Sequence, residues 1–351
     1  MSKYLSNLVK EIEPYVPGEQ PKDKKYIKLN TNENPYPPSK NVLDAIGNSL
    51  NHLNLYPEPT TEDLREELGE YYSLKKDQIF VGNGSDEVLA FAFMAFFNPG
   101  DKILYPDITY SFYPVYAGLF KLKSELIEVD GEFSLKPKMF SRNNDGIILP
   151  NPNAPTGKIM TIEEIEEILK NNIDSVVIVD EAYIDFGGES AVKLVDKYPN
   201  LLVTQTLSKS RSLAGLRVGF GFGSEELIDG LNRIKNSINS YTVDTLAMNG
   251  ALESIKDVDY FKETTEKIIN TRVRVTNELK KLGFKVIESA ANFVFASHEN
   301  VKAEKLFKEL KEIGILVRYF NSERVDNYLR ISIGTDEEMD EFLKQIEALV
   351  K

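Results

Sequence analysis

The sequence contains no cysteine among its 351 residues. Disulfides, thiolate nucleophiles, iron–sulfur clusters and Cys-based zinc sites are therefore excluded. Histidine is scarce too: the two present, His52 and His298, lie far apart and neither belongs to an HExxH pattern. His-clustered metal sites and Ser–His–Asp triads lack support, so acid–base chemistry has to rest mainly on Lys, Tyr, Asp or Glu. Basic residues are outnumbered, 42 Lys plus Arg against 55 Asp plus Glu, for a formal charge of −13. So acidic a chain repels nucleic acid and anionic lipid, and a small anionic substrate would need locally placed Arg or Lys. Long apolar stretches are missing. The longest uncharged runs, Val88–Gly100 and Ile108–Phe120, have 13 residues each, too short to cross a bilayer. The opening MSKYLSNLVKEIEP lacks the apolar core of a signal peptide, which makes the cytoplasm the expected compartment.

What is present is the composition of an ordinary globular protein, 42% hydrophobic and 28% charged, with length for roughly two domains. From about Gln78 to Ser224, short apolar and β-branched runs alternate with helix-like segments. The strand candidates are QIFVG (78–82), KILYP (102–106), GIILP (146–150), SVVIVD (175–180), LLVTQT (201–206) and RVGFGFG (217–223). Several are nearly all apolar, as strands covered on both faces of a mainly parallel sheet must be. Thr161 with Glu164 makes a capping box ahead of IEEILK. This rhythm predicts an α/β fold with a large doubly wound domain. The last third reads differently. Helix is predicted over about 243–282, with a break near Asp257–Tyr260, then strands at 284–288, 292–296, 315–319 and 328–334. Helices at about 302–313 and 335–350 accompany them, the second opened by a Thr335–Glu338 capping box. We expect a large α/β domain at 36–255, with residues 1–35 and 256–351 forming an N-terminal arm and a smaller α+β domain. The joint is read as the stiff helical stretch, since no Gly/Ser linker is present.

Ligands of open parallel sheets bind beyond the carboxyl ends of the strands, and four motifs fall at such ends. GNGSDE (82–87) offers the free N–H groups of Gly84, Ser85 and Asp86 to an anion, or is a plain strand-to-helix turn. NPNAPTG (151–157) is a rigid turn bearing two amides, Asn151 and Asn153. In DEAYIDF (180–186), Asp180 ends a buried strand and needs a cationic or protonated partner, from a ligand or from a structural ion pair. TLSKSRSLAGLRVGF (206–220) gathers Thr206, Ser208, Lys209 and Arg217; a lone lysine is usually solvated, but this one follows a buried strand. Neighbouring cations and partial burial would keep more of its amine free. One ligand would use all four motifs: a phosphate for the hydroxyls and Arg217, an aldehyde for Lys209, a protonatable ring nitrogen for Asp180 and a ring hydroxyl for Tyr183. That ligand is pyridoxal 5′-phosphate.

With these residues in hand, the chain resembles the fold-type I pyridoxal-phosphate aminotransferases, and within them the histidinol-phosphate aminotransferases, from LNTNENPYPP to YLRISIG. The resemblance implies a fold-type I transferase in which Lys209 is the Schiff-base lysine and Arg217, eight positions on, a phosphate ligand. It makes Asp180 the partner of the pyridine nitrogen and Tyr183 that of the ring hydroxyl. Thr206 and Ser208 become phosphate or lysine neighbours, GNGSDE the phosphate cup, and Tyr110 the ring-stacking aromatic. Tyr56 matches a tyrosine sent across a dimer interface to the cofactor phosphate, implying a homodimer with shared active sites. Arg330 and Arg318 match arginines for substrate anions, and Tyr15, Asn34, Tyr241 and Asn292 other substrate-pocket positions. The family usually has Asn immediately before Pro-Thr-Gly; here stands Ala154, so either Asn153 or Asn151 takes over, or Tyr183 holds the ring hydroxyl alone. The implied reaction moves an amino group between L-histidinol phosphate and 2-oxoglutarate. Aromatic-amino-acid aminotransferases and threonine-phosphate decarboxylases share the pattern and stand as alternatives, as does a non-catalytic cofactor-binding protein.

Overall fold

The computed structural model describes residues 3–351. Seven strands make the main sheet: β2 (Ile79–Gly82), β3 (Lys102–Pro106), β4 (Lys123–Ile127), β5 (Gly146–Pro150), β6 (Val176–Asp180), β7 (Leu201–Thr206) and β8 (Gly219–Gly223), in the order β2-β8-β7-β6-β5-β3-β4. All pairings are parallel except those of β8, which runs against both β7 and β2. Every residue of β2, β5, β7 and β8 is buried.

That burial follows from the period-two geometry of a strand between two layers. Ile147, Leu149, Val177, Val179, Leu201 and Val203 face one layer, built from α3 (Glu62–Tyr72), α6 (Ile162–Asn171) and α8 (Thr245–Lys256). Ile148, Ile178 and Leu202 face the other, built from α4 (Gly84–Phe96), α5 (Phe112–Leu119) and α7 (Glu225–Ile238). β4 was not foreseen: its KSELI is polar and mostly uncovered, as befits an edge strand. Both foreseen capping boxes form, Thr161 with Glu164 and Thr335 with Glu338.

A second, antiparallel sheet takes the order β12-β13-β10-β9, from β9 (Phe284–Ile287), β10 (Phe293–His298), β12 (Arg318–Tyr319) and β13 (Leu329–Ser332). The run predicted as one strand at 315–319 is split, because Ile315–Leu316 (β11) turns away to pair in parallel with β1 (Ile27–Lys28). This pairing stitches the N-terminal segment to the smaller body, whose core also takes in Leu29. Helices α9 (Val258–Lys281), α10 (Ala303–Glu312) and α11 (Asp336–Val350) cover one face. The predicted break in the long helical stretch falls at Asp257, whose carboxylate caps α9. Among the described residues, no helix is long and apolar enough to cross a membrane.

One buried polar cluster braces β6 against β7. Glu181 accepts hydrogen bonds from the Ala191 N–H (2.6 Å), the Ser190 hydroxyl (2.5 Å) and Gln205 Nε2 (2.9 Å), while Tyr72 donates to Gln205 Oε1 (2.6 Å). Burial outweighs these bonds and pushes the Glu181 carboxyl up to about 7 from its ordinary 4.5. The folded chain thus keeps a proton that the unfolded chain has already released, and unfolding gives it up between those pH values. Stability should fall as pH rises through that window. In urea titrations at pH 5 and pH 7, Glu181→Gln is expected to show a smaller drop between the two than the parent, whatever its own cost.

Candidate active site

The carboxyl ends of β2, β5, β6 and β7 open on a cleft of about 340 Å³ between the two bodies. The reversed β8 contributes from its beginning rather than its end. Arg217 stands two residues before β8 starts, so the antiparallel turn brings it back to the same edge as the motifs that follow the parallel strands.

Asp180 lies on the cleft floor, 5% exposed. Tyr113 donates to its Oδ2 at 2.8 Å and Thr204 to its Oδ1 at 3.2 Å. Burial dominates and lifts its carboxyl to about 6, against the pull of those hydroxyls and the Ala182 N–H. No cation pairs with it among the described residues. Lys209 presents the converse. Its ammonium donates to the Thr31 carbonyl at 3.1 Å and stands 5.9 Å from the centre of the Tyr183 ring.

At one end of the cleft, α4 points its N-terminus inward through Ser85 and Asp86. Gly84, with φ +79°, takes the left-handed turn that glycine allows, and a Cβ there would come 2.6 Å from Arg217 Nη2. Arg217 also lies 3.5 Å from Asp86 Oδ2 and 3.4 Å from the Ser208 hydroxyl, which Thr206 contacts at 2.9 Å. Hydroxyls, free N–H groups and a guanidinium therefore converge on one spot, the donor set of a phosphate site. Tyr110 borders the cleft, its hydroxyl 3.0 Å from Asp86 Oδ1.

The second sheet closes the opposite wall. Arg318 and Arg330 are direct cross-strand neighbours on β12 and β13. Like charges so placed repel unless an anion joins them. Arg330 bonds the Asn30 carbonyl at 3.0 Å, and its Nε is buried without a partner. Burial draws its guanidinium below the ordinary value. Tyr15, stacked on Phe112 at 4.3 Å, completes this wall.

Other foreseen residues are disposed differently. Asn153 does not reach the cleft: its amide donates to the Ile108 carbonyl (2.9 Å) and the Thr156 hydroxyl (3.1 Å). Asn151 is likewise turned aside, doubly bonded to the Met160 backbone at 2.8 and 3.2 Å. Neither substitutes for an asparagine at Ala154, which lines the cleft as a methyl group. Asn34 ties down the loop after β7 from behind, donating to the carbonyls of Lys209 (3.0 Å) and Ser210 (3.1 Å). Asn292, fully buried, donates to the Asn32 carbonyl at 2.9 Å and also lies behind the wall. Tyr241 is outside this chain's cleft, stacked at 4.8 Å on Tyr56, which is 82% exposed. Sequence reasoning missed Tyr113 as a ligand of Asp180, and it missed Thr31 and Asn32. Only the unusual density of short polar residues in LNTNENP hinted at the last two.

The family model for aminotransferase class I and II matches residues 24–346. A histidinol-phosphate aminotransferase of Clostridium acetobutylicum is 59% identical over 351 residues, covering all of both chains. One of Clostridium beijerinckii is 58% identical, covering 99% of this chain and 97% of that one. Among solved structures, a histidinol-phosphate aminotransferase from Clostridium acetobutylicum superposes with a TM-score of 0.85 at 26% identity, over 92% of this chain and 98% of that one. The Sinorhizobium meliloti enzyme, solved in complex with pyridoxal-5′-phosphate, shares the fold with a TM-score of 0.89 at 22% identity, covering 100% and 98%. The match over nearly the whole length, on the fold and cleft described, means that the chain belongs to the class I and II aminotransferases, alongside relatives named histidinol-phosphate aminotransferase.

Proposed function

We propose that this chain, with pyridoxal 5′-phosphate anchored on Lys209, transfers an amino group between L-histidinol phosphate and 2-oxoglutarate in histidine biosynthesis. The observation that carries this reading is a complementary pair in one cleft: a lysine whose ammonium bonds a carbonyl, with Glu33 acting on it only through space, and a buried carboxylate that no cation pairs with among the described residues. The relatives' names support the substrate.

The side chains present fit the cofactor. Arg217, Ser208, Thr206, Ser85 and the α4 amides suit its phosphate, and the Gly84 cradle leaves room that a side chain would fill. Asp180 gains the cation it lacks by keeping the ring nitrogen protonated. Tyr183 offers its hydroxyl to the ring hydroxyl, and Tyr110 its ring face. Bound there, the cofactor supplies an electron sink for the carbanion left when an amine-bearing carbon loses its proton. With the cofactor bound, Lys209 Nζ would be the base that takes this proton and the acid that returns it. Arg330 and Arg318, paired across β12 and β13, bind the phosphate of one substrate and the carboxylate of the other, with Tyr15 bounding the pocket. Residues 36–255 form the cofactor-binding domain in this reading.

The active form is a cytoplasmic homodimer. Tyr56 stacks on Tyr241, and both are exposed, as are Leu53, Leu55 and Ile238 close to them in sequence, apolar side chains suited to burial by a second copy. From there Tyr56 reaches the partner's cofactor phosphate.

The reading is tested by the visible spectrum of the purified, cofactor-loaded protein. Addition of L-histidinol phosphate alone is expected to bleach the yellow band, and 2-oxoglutarate to restore it. A band unmoved by histidinol phosphate but bleached by aromatic amino acids, or phosphothreonine that releases carbon dioxide, would replace the substrate. Lys209→Ala should retain cofactor through the phosphate contacts yet lose at least about 10²-fold in turnover, measured with saturating substrates. Arg330→Ala should raise KM about 10- to 100-fold for both anionic substrates, the effect of losing one charge-assisted bond, with a smaller change in kcat.

A further inference from the structure

Asn32 is a non-glycine residue held in the left-handed region, with φ +55°, and it is 1% exposed. Such a backbone is uncommon outside glycine, although asparagine tolerates it better than most residues. Strain of this kind persists where the surroundings over-determine it. Here they do. The Asn32 N–H donates to the Ser332 hydroxyl at 2.9 Å, and that hydroxyl donates back to Asn32 Oδ1 at 2.9 Å. The Asn32 carbonyl accepts from Asn292 Nδ2 at 2.9 Å. This clasp leaves one group of the side chain to act. Nδ2 donates to the Tyr183 hydroxyl oxygen at 2.9 Å.

The reciprocal bond with Ser332 fixes which way the amide faces. Since the single Ser332 proton is spent on Oδ1, it is Nδ2 that must meet Tyr183. The phenol oxygen then accepts from Asn32, and its own proton stays free to be donated into the cleft. Ala154, the position without an amide, packs with Tyr183 and Phe293 and brings no donor. The charged groups facing the phenol, Lys209 on the loop after β7 and Arg330 on β13, act on it only through space.

We infer that Asn32 supplies the amide missing at Ala154, acting through Tyr183: it polarises the phenol and holds its proton toward the cofactor's ring hydroxyl. This rests on the cofactor reading above. Asn32 is thus a positioning residue, and a chain of two donors, Asn32 to Tyr183 to the ring oxygen, replaces the two side by side expected from the resemblance.

The test is the pH midpoint of the visible band of the lysine-bound cofactor, followed by absorbance titration of the loaded protein. Donors to the ring oxygen compete with the proton it shares with the imine nitrogen, so weakening them raises the midpoint. Asn32→Gly keeps the backbone bonds and suits the left-handed turn. It should raise the midpoint by about 0.4–1 pH unit, the size of one net hydrogen bond. Asn32→Asp keeps the shape but presents only acceptors; Tyr183 should then turn its proton to the carboxylate, and the midpoint should rise further. Midpoints within about 0.1 unit of the parent in both variants would overturn the inference. So would Asn32→Asp behaving like the parent while Asn32→Gly shifts, because packing rather than donation would then be at work. A parent protein with no such band would instead remove the cofactor reading itself.

Discussion

Asp180 has been taken out of water at the end of β6 and given two hydroxyls and one backbone N–H, but no cation among the described residues. A carboxylate in that position is costly to ionise, and burial accordingly lifts it to about 6. In the function proposed above, the partner arrives from outside with the cofactor. The same logic repeats at the mouth, where Arg318 and Arg330 face each other across two strands and Arg330 keeps a buried, unpaired Nε. Negative charge waits on the floor and positive charge at the wall. Between them stands an amine whose hydrogen-bond partner is a carbonyl. A cleft so arranged is selective before any shape is considered, since its occupant must carry complementary charges in that order.

Two features of topology make the arrangement possible. Reversal of β8 returns Arg217 to the edge where the parallel strands end, so a guanidinium lining the cleft comes from the start of a strand rather than its finish. The segment around residues 29–34 runs between the two bodies and is tied to both. Its backbone receives Lys209, its side chains meet Tyr183 and the Lys209 loop, and Ser332 pins it from the far side.

The main sheet was legible because each strand announces itself locally, through a run of apolar residues with alternate side chains buried in different layers. The motifs at the strand ends were legible for the same reason. β4 was not, since an uncovered edge strand such as KSELI has no pressure to be apolar. The division of 315–319 into two strands also escaped notice, because the pairing of β11 with β1 joins segments about 290 residues apart. At the site, the motifs at strand ends pointed to Lys209, Asp180 and Arg217, which the fold brings to one cleft, whereas the partners of the amides could not be read from the sequence. Asn151 and Asn153 look like ligands in NPNAPTG, but the Asn151 amide is bonded to the Met160 backbone and Asn153 Nδ2 to the Ile108 carbonyl and the Thr156 hydroxyl. Asn32 looks like loop filler, and only its left-handed backbone and the clasp with Ser332 reveal otherwise.

That clasp also bears on how the molecule comes into being. Asn32 and Ser332 are 300 positions apart, and β1 finds its partner only at β11. The seven strands of the main sheet are complete by Gly223 and the helices that cover them by Lys256, so the larger core can condense while the chain beyond Lys256 is still being made. The wall holding Thr31 and Asn32 in place cannot close until β13 has emerged, and that closure bears the entropy of a very long loop. A partly synthesised chain therefore owns Lys209 and the loop that opens α4 but not the wall that faces them. Completion of the cleft is coupled to completion of the polypeptide, so a truncated product would lack a finished reactive centre.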